Sequence, residues 1–173
     1  MNNKNIEKIF SNANGKKICI IGDVMLDRYM FGNVSRISPE APVQVFDLSK
    51  VENKLGGSSN VSLNLKTLGA IPHLIGVIGD DEMGEILKDE MLRNGQIIDG
   101  LIIDKHRPTT CKTRVISDSH HLIRIDSESK NDIDKKIEDK VLANLSLIIN
   151  DIEFIILQDY NKGVLTKSLI KKI

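Results

Sequence analysis

The strongest constraint on the fold is an alternation of short β-branched apolar runs with amphipathic helical runs along most of the chain. The first run, "KKICIIGD" (16–23), is too short for a stable helix. Its centre, Ile18 to Ile21, is continuously apolar, as a strand buried on both faces of a parallel sheet must be. In "SSNVSLNLKTLGA" (58–70), Val61, Leu65 and Leu68 share a helical face, a serine is available as N-cap, and Gly69 stops the helix. "IPHLIGVIGD" returns to strand character. "DEMGEILKDEMLRNGQ" repeats the helical pattern through Met83, Ile86, Leu87 and Leu92 and ends at Gly95, and "IIDGLIID" supplies another strand. Further on, "DIDKKIEDKVLANLSLIIN" reads as an amphipathic helix with its charges outward, and "DIEFIILQD" as a buried strand. The order β, α, β, α, β predicts an α/β fold, a doubly wound parallel sheet covered by helices.

Two segments break the pattern. "DRYMFGNVSRISPEAPVQVFDL" (27–48) and "TTCKTRVISDSHHLIRIDSE" (109–128) have no helical period and alternate apolar with polar residues; the second carries a turn signal at Asp118 to His120. Antiparallel strands set apart from the main sheet are predicted, with lid strands at about 28–49 and 109–126. Strands inserted directly after the first core strand imply a lid over the carboxyl ends of the parallel strands, where ligands of α/β folds bind.

Composition narrows the chemistry. Lys plus Arg and Asp plus Glu both number 24, so there is no broad basic field for nucleic acid or an anionic membrane surface. No apolar run approaches the length of a membrane span, and the opening residues lack the apolar core of a signal peptide; a cytoplasmic protein is expected. Cys19 and Cys111 have no CxxC spacing and read as structural thiols. His73, His106, His120 and His121 have no carboxylate at a readable spacing and read as surface residues, and no metal site is expected.

The loop after the first strand, "GDVMLDR", lacks the glycines of a dinucleotide fingerprint and presents Asp23 and Asp27 instead. Carboxylates repel phosphate and accept hydrogen bonds from hydroxyls, so this end of the sheet suits a polyol. One Asp capping a turn and the other solvated is an equally good reading of those residues alone. Gly56 and Gly57 remove Cβ atoms where a ligand could touch backbone, and Asn60 offers a donor and an acceptor from the first helical turn; the plainer reading is a glycine-rich helix start. In "GVIGDDEMG" the acidic residues match no calcium loop and read as complement to a helix dipole. Lys112 and Arg114 share one strand face, with Arg124 opposite, a cluster that either holds a phosphate or forms a solvated lid face.

Taken together, "GDVMLDRYMFGNVSRISPEAPVQVF", "ENKLGGSSNVSLNLKTLGA", "LIGVIGDDEMG", "RPTTCKTRVI" and "ILQDYNKGVLT" resemble, in order, the carbohydrate kinases of the ribokinase, or PfkB, family. The resemblance runs from about Lys16 to the last residue and is closest to the kinases of D-glycero-β-D-manno-heptose 7-phosphate, of which "RISPEAPV" with "ENKLGG" is the specific mark. It implies a ribokinase-like, Rossmann-type three-layer sandwich with a small β-sheet lid. It implies ATP and Mg2+ as cofactors of the complete enzyme, a sugar phosphate as substrate, and a homodimer paired through the lid. Sugar contacts fall on Asp27, with Asp23 second, and on Gly56, Gly57 and Asn60. Lys112, Arg114 and Lys162 are candidates for the substrate phosphate on charge and position alone.

The sequence departs from the family in two places. Ser58 and Ser59 stand where the family usually has GGAAN or GGAGN, and nothing matches the later GAGD motif, which supplies an anion hole and the catalytic base. No catalytic residue is therefore expected in this chain. It is expected to be the sugar-binding and lid part of a longer one, inactive alone. The alternatives are a non-catalytic sugar-binding and dimerisation module, or a kinase for another sugar.

Overall fold

A computed structural model describes Lys8 and residues 11–173. The strand β1 (Lys17–Gly22) lies inside a four-stranded sheet of order β5-β4-β1-β8, with β4 (Ile71–Ile78), β5 (Leu101–Ile103) and β8 (Phe154–Gln158), and every pairing is parallel. Parallel pairing requires a crossover between neighbours, and the helices provide it: α1 (Gly57–Thr67), α2 (Glu82–Arg93) and α3 (Lys135–Ile148). A short α4 (Lys167–Ile170) follows, with the Thr166 hydroxyl accepting from the Leu169 N–H as its N-cap.

The period of two along β1 divides the interior into two cores. Cys19 and Ile21 face Ile137, Val141 and Leu145 of α3, together with Ile75, Val77 and Ile102. Ile20 faces the other way, onto Leu87 and Met91 of α2 and the half-buried Val61 and Leu65 of α1. The result is the three-layer sandwich that the alternation implies. Burial raises the Cys19 thiol to about 11, so it stays protonated and packs as a small apolar group.

The second core continues into a second four-stranded sheet, order β3-β2-β6-β7, built from β2 (Val24–Ile37), β3 (Gln44–Gly56), β6 (Cys111–Ser117) and β7 (His120–Ser127). Leu26, Leu55 and Cys111 root it there, buried against the first sheet and its helices. Asp118 and Ser119, both at positive φ, close the β6–β7 hairpin where the turn was predicted. These strands reach nearer the core than the predicted lid limits, because Val24 to Leu26 and Leu55 are part of the packed interior.

Five local expectations change. No serine side chain caps α1; Gly56 is the N-cap, and the Ser59 hydroxyl turns back to donate to the Gly56 carbonyl at 2.6 Å. The deeply buried face of α1 is Ser58, Ser59 and Ser62, whose small side chains let the helix lie close to the sheet. Leu92 is exposed, and Met91 takes the core position one step around the helix. The run 97–104 forms only a three-residue strand, and β8 is half-exposed, with Phe154 and Leu157 open on the sheet edge.

Candidate functional site

Local order at the site begins with Asp23, which follows β1. Its side chain is buried, and its carboxylate accepts the backbone N–H groups of Tyr160 (2.7 Å), Lys162 (3.1 Å) and Val164 (3.3 Å). Its backbone joins the neighbouring elements as well, donating to the Gln158 carbonyl and accepting from Ser58 N–H. Asp23 is thus the acceptor that shapes the loop after β8 and ties it to the start of α1. Its oxygens are spent on backbone amides, so of the two aspartates it is Asp27 that keeps exposed carboxylate surface.

Asp27 stands four residues later on β2, half-buried. Its Oδ1 accepts from the Arg114 guanidinium at 2.6 Å, an ion pair between adjacent parallel strands. Its Oδ2 lies over Gly56: a Cβ there would come within 2.5 Å of it. Gly57 adopts φ +56°, and a Cβ on it would meet the Asp23 carbonyl oxygen at 2.4 Å. Both glycines are thus required by the close approach of the two aspartates, whatever else they do.

Asn60 is exposed in the first turn of α1 and lines a hollow of about 480 Å³ with Asp27, Tyr29, Asn53, Lys54, Leu63, Glu90 and Asn94. The Tyr29 ring has the Arg114 guanidinium and the Lys54 ammonium each 5.1 Å from its centroid, and stacks on Phe31. The sequence reading missed Asn53. Its Oδ1 is buried with no hydrogen-bond partner among the described residues, and the residue lines the hollow. Its place in "ENKLGG" gave no sign of this, since the side chain is oriented by strand pairing with Arg28.

The remaining candidates are cationic, and all are paired. Lys112 lies between Asp126 and Glu128, at 3.2 Å from each, and Lys162 reaches the same Glu128 at 3.0 Å. Arg124 holds Asp126 through two bonds, at 2.9 and 3.1 Å. Burial by itself would push the Glu128 carboxyl up, but the ammonium groups of Lys162 and Lys112 outweigh it and hold the group below the usual carboxylate range. Arg114 contacts the carbonyl of Lys112, so Asp27 and the lysine cluster form one connected polar surface across β2, β6 and β7.

Other sequence candidates have structural work. Asp81 caps α2 through the Gly84 N–H and also accepts the Thr109 N–H, as the helix-dipole reading expected. His106, His120 and His121 are exposed, while His73 is half-buried in β4. Among the described residues no group of three His, Cys, Asp or Glu side chains is placed to hold a metal ion. No described helix is long and apolar enough to cross a membrane.

The family model for pfkB family carbohydrate kinases matches residues 15–170. Curated relatives named bifunctional protein HldE are 44% identical in Helicobacter hepaticus, over 88% of this chain, and 45% identical in Sulfurimonas denitrificans, over 91%. The chain spans about a third of the length of those relatives, 32% and 33%. Among solved structures, a carbohydrate kinase from Agrobacterium tumefaciens superposes with TM-score 0.60 over 82% of this chain and 45% of its own, at 22% identity. Arabidopsis thaliana ribokinase complexed with ribose and ATP gives 0.56 over 83% and 45%, at 14% identity. At such identities these two likenesses bear on the fold alone.

Proposed function

The chain belongs to the pfkB family of carbohydrate kinases, and on that footing we propose that it is the sugar-binding part of an ATP-dependent kinase of D-glycero-β-D-manno-heptose 7-phosphate. The product would be the 1,7-bisphosphate, a precursor for ADP-heptose and the lipopolysaccharide core. The observation that carries the reading is that Asp27 and Asn60 line one hollow, with the Asp27 carboxylate beside an arginine and lysine surface. Acceptors facing a hollow suit sugar hydroxyls, and the adjacent cations suit the phosphate of a sugar phosphate.

In this reading Asp27 accepts hydrogen bonds from sugar hydroxyls, and Arg114 fixes the carboxylate that does so. Asn60 adds one contact. Lys112, Arg114 and Lys162 receive the 7-phosphate. Positioning of this kind is the larger share of catalysis in phosphoryl transfer, where the reacting oxygens must be held in line.

The residues present do not fit a nucleotide: no glycine-rich phosphate loop occurs, and Asp23 and Asp27 occupy the strand end where a pyrophosphate would need amides. ATP and Mg2+ are therefore assigned to the whole kinase and to none of the residues described here. Homodimerisation through the lid is part of the same proposal. It is supported by a cross-sheet row of Val51, Met30, Val115 and Ile123, in which Val51 and Ile123 are exposed.

The test is phosphorylation of a sugar panel by the full-length protein with ATP. Consumption of the heptose 7-phosphate is expected, abolished by Asp27→Ala. Turnover of another sugar with the heptose phosphate untouched would overturn the substrate assignment.

A further inference from the structure

Glu128 stands apart from the other carboxylates on this surface. Asp27 and Asp126 each have an arginine partner, Arg114 and Arg124. Glu128 has lysines only: Lys112 at 3.2 Å, Lys162 at 3.0 Å and, at 4.0 Å, Lys130. The first two are mostly buried, with side chains 18% and 12% exposed; Lys130 is 68% exposed and points to solvent. Glu128 also lies just beyond the end of β7, in the connection to α3, where no strand ladder holds it. Lys112 belongs to the lid, and Lys162 to the loop that Asp23 and the Arg107 guanidinium clamp onto the main sheet. One carboxylate therefore joins lid to body through two ammonium groups.

We propose that Glu128 is a specificity-determining residue, an internal carboxylate that occupies the place of the substrate phosphate between Lys112 and Lys162 and is exchanged for it on binding. The inference rests on the reading of those two lysines as phosphate ligands. The charges argue for exchange over addition. A phosphate dianion balances the two inner ammonium groups, whereas a dianion and Glu128 together exceed them by one negative charge, which only the outer Lys130 can offset. Lys130, already in contact, is the cation to which Glu128 moves.

The arrangement also explains a selectivity for phosphorylated sugars. A neutral sugar brings nothing that competes with Glu128 for the lysines, so the link between lid and body stays closed. A dianion offers more charge and more acceptor oxygens than one carboxylate and displaces it.

The experiment is calorimetric titration of the full-length protein with inorganic phosphate, in the wild type, in Glu128→Gln, Lys112→Ala, Lys162→Ala and Lys130→Ala, and in Glu128→Gln combined with Lys130→Ala. Removing the competing carboxylate is expected to tighten phosphate binding by about tenfold. Lys130→Ala, a change at an exposed position that leaves the fold intact, is expected to weaken it several-fold in the wild type and to have little effect once Glu128 is Gln. Equal or weaker binding in Glu128→Gln, while the two inner lysine variants still abolish binding, overturns the exchange and makes Glu128 a scaffold for the lysines. Phosphate binding that is absent, or indifferent to Lys112→Ala and Lys162→Ala, overturns the phosphate assignment itself and the exchange with it.

Discussion

Asp23→Ala is the perturbation that separates a loop-shaping aspartate from a sugar-binding one. The wild-type carboxylate satisfies three backbone N–H groups, and the substitution leaves all three without an acceptor. Val164 is buried at 2% exposure and its N–H has no route to water, while Tyr160 is exposed and Lys162 half-buried. A hydrogen bond to a charged group contributes about 1.5–3 kcal/mol, and a buried donor left alone costs about 1–3 kcal/mol. Allowing water to reach two of the three, local destabilisation of the 159–164 loop comes to about 3 kcal/mol, or roughly 100-fold in its opening equilibrium. Amide hydrogen exchange on the full-length protein reads this directly, because it reports local opening without assuming that the whole molecule unfolds in one step. Tyr160, Lys162 and Val164 amides should exchange faster by about that factor, with the β4 and α2 amides little changed. Unchanged protection of the three amides, together with lost sugar affinity, would refute the argument and return Asp23 to the sugar.

Three further outcomes follow from the same geometry. Asn60→Ala should weaken sugar binding by about 1–3 kcal/mol with no loss of thermal stability, since the side chain is exposed and faces only the hollow; calorimetry with the sugar phosphate checks it. Gly57→Ala should destabilise by about 2 kcal/mol or more, because a left-handed φ of +56° is combined with a Cβ 2.4 Å from the Asp23 carbonyl oxygen, and denaturation midpoints will show it. Glu138, buried in α3, accepts from the hydroxyl of Thr166, and also from Ser168 and Lys172; the Thr166 hydroxyl leads in holding it below its ordinary 4.5, against burial, which raises it. A depressed folded value means stabilisation that is complete above pH 4.5 and fades as pH falls through the lower folded value. Glu138→Gln should therefore be less stable than wild type at neutral pH and approach it in acid, and a gap that stays constant down to pH 3 would refute this.

The sequence by itself determined the order of elements, their layers and the existence of the lid. Periodicity is a local property: alternation of two along Cys19, Ile20 and Ile21, and of three to four along α2 and α3, is set by neighbours in the chain and needs no tertiary knowledge. It located Gly56, Gly57 and Asn60 for the same reason, since a helix start is written in adjacent residues. The family resemblance ranked Asp27 before Asp23, but only tertiary structure supplied the reason, because it lies in partners remote in sequence: Asp27 with Arg114, 87 residues away, and Asp23 with Val164, 141 away. The same holds for Glu128, inconspicuous among 24 acidic residues until β6, β7 and the loop after β8 bring two lysines to it. Charge acts through space, and the sequence records it only along the chain.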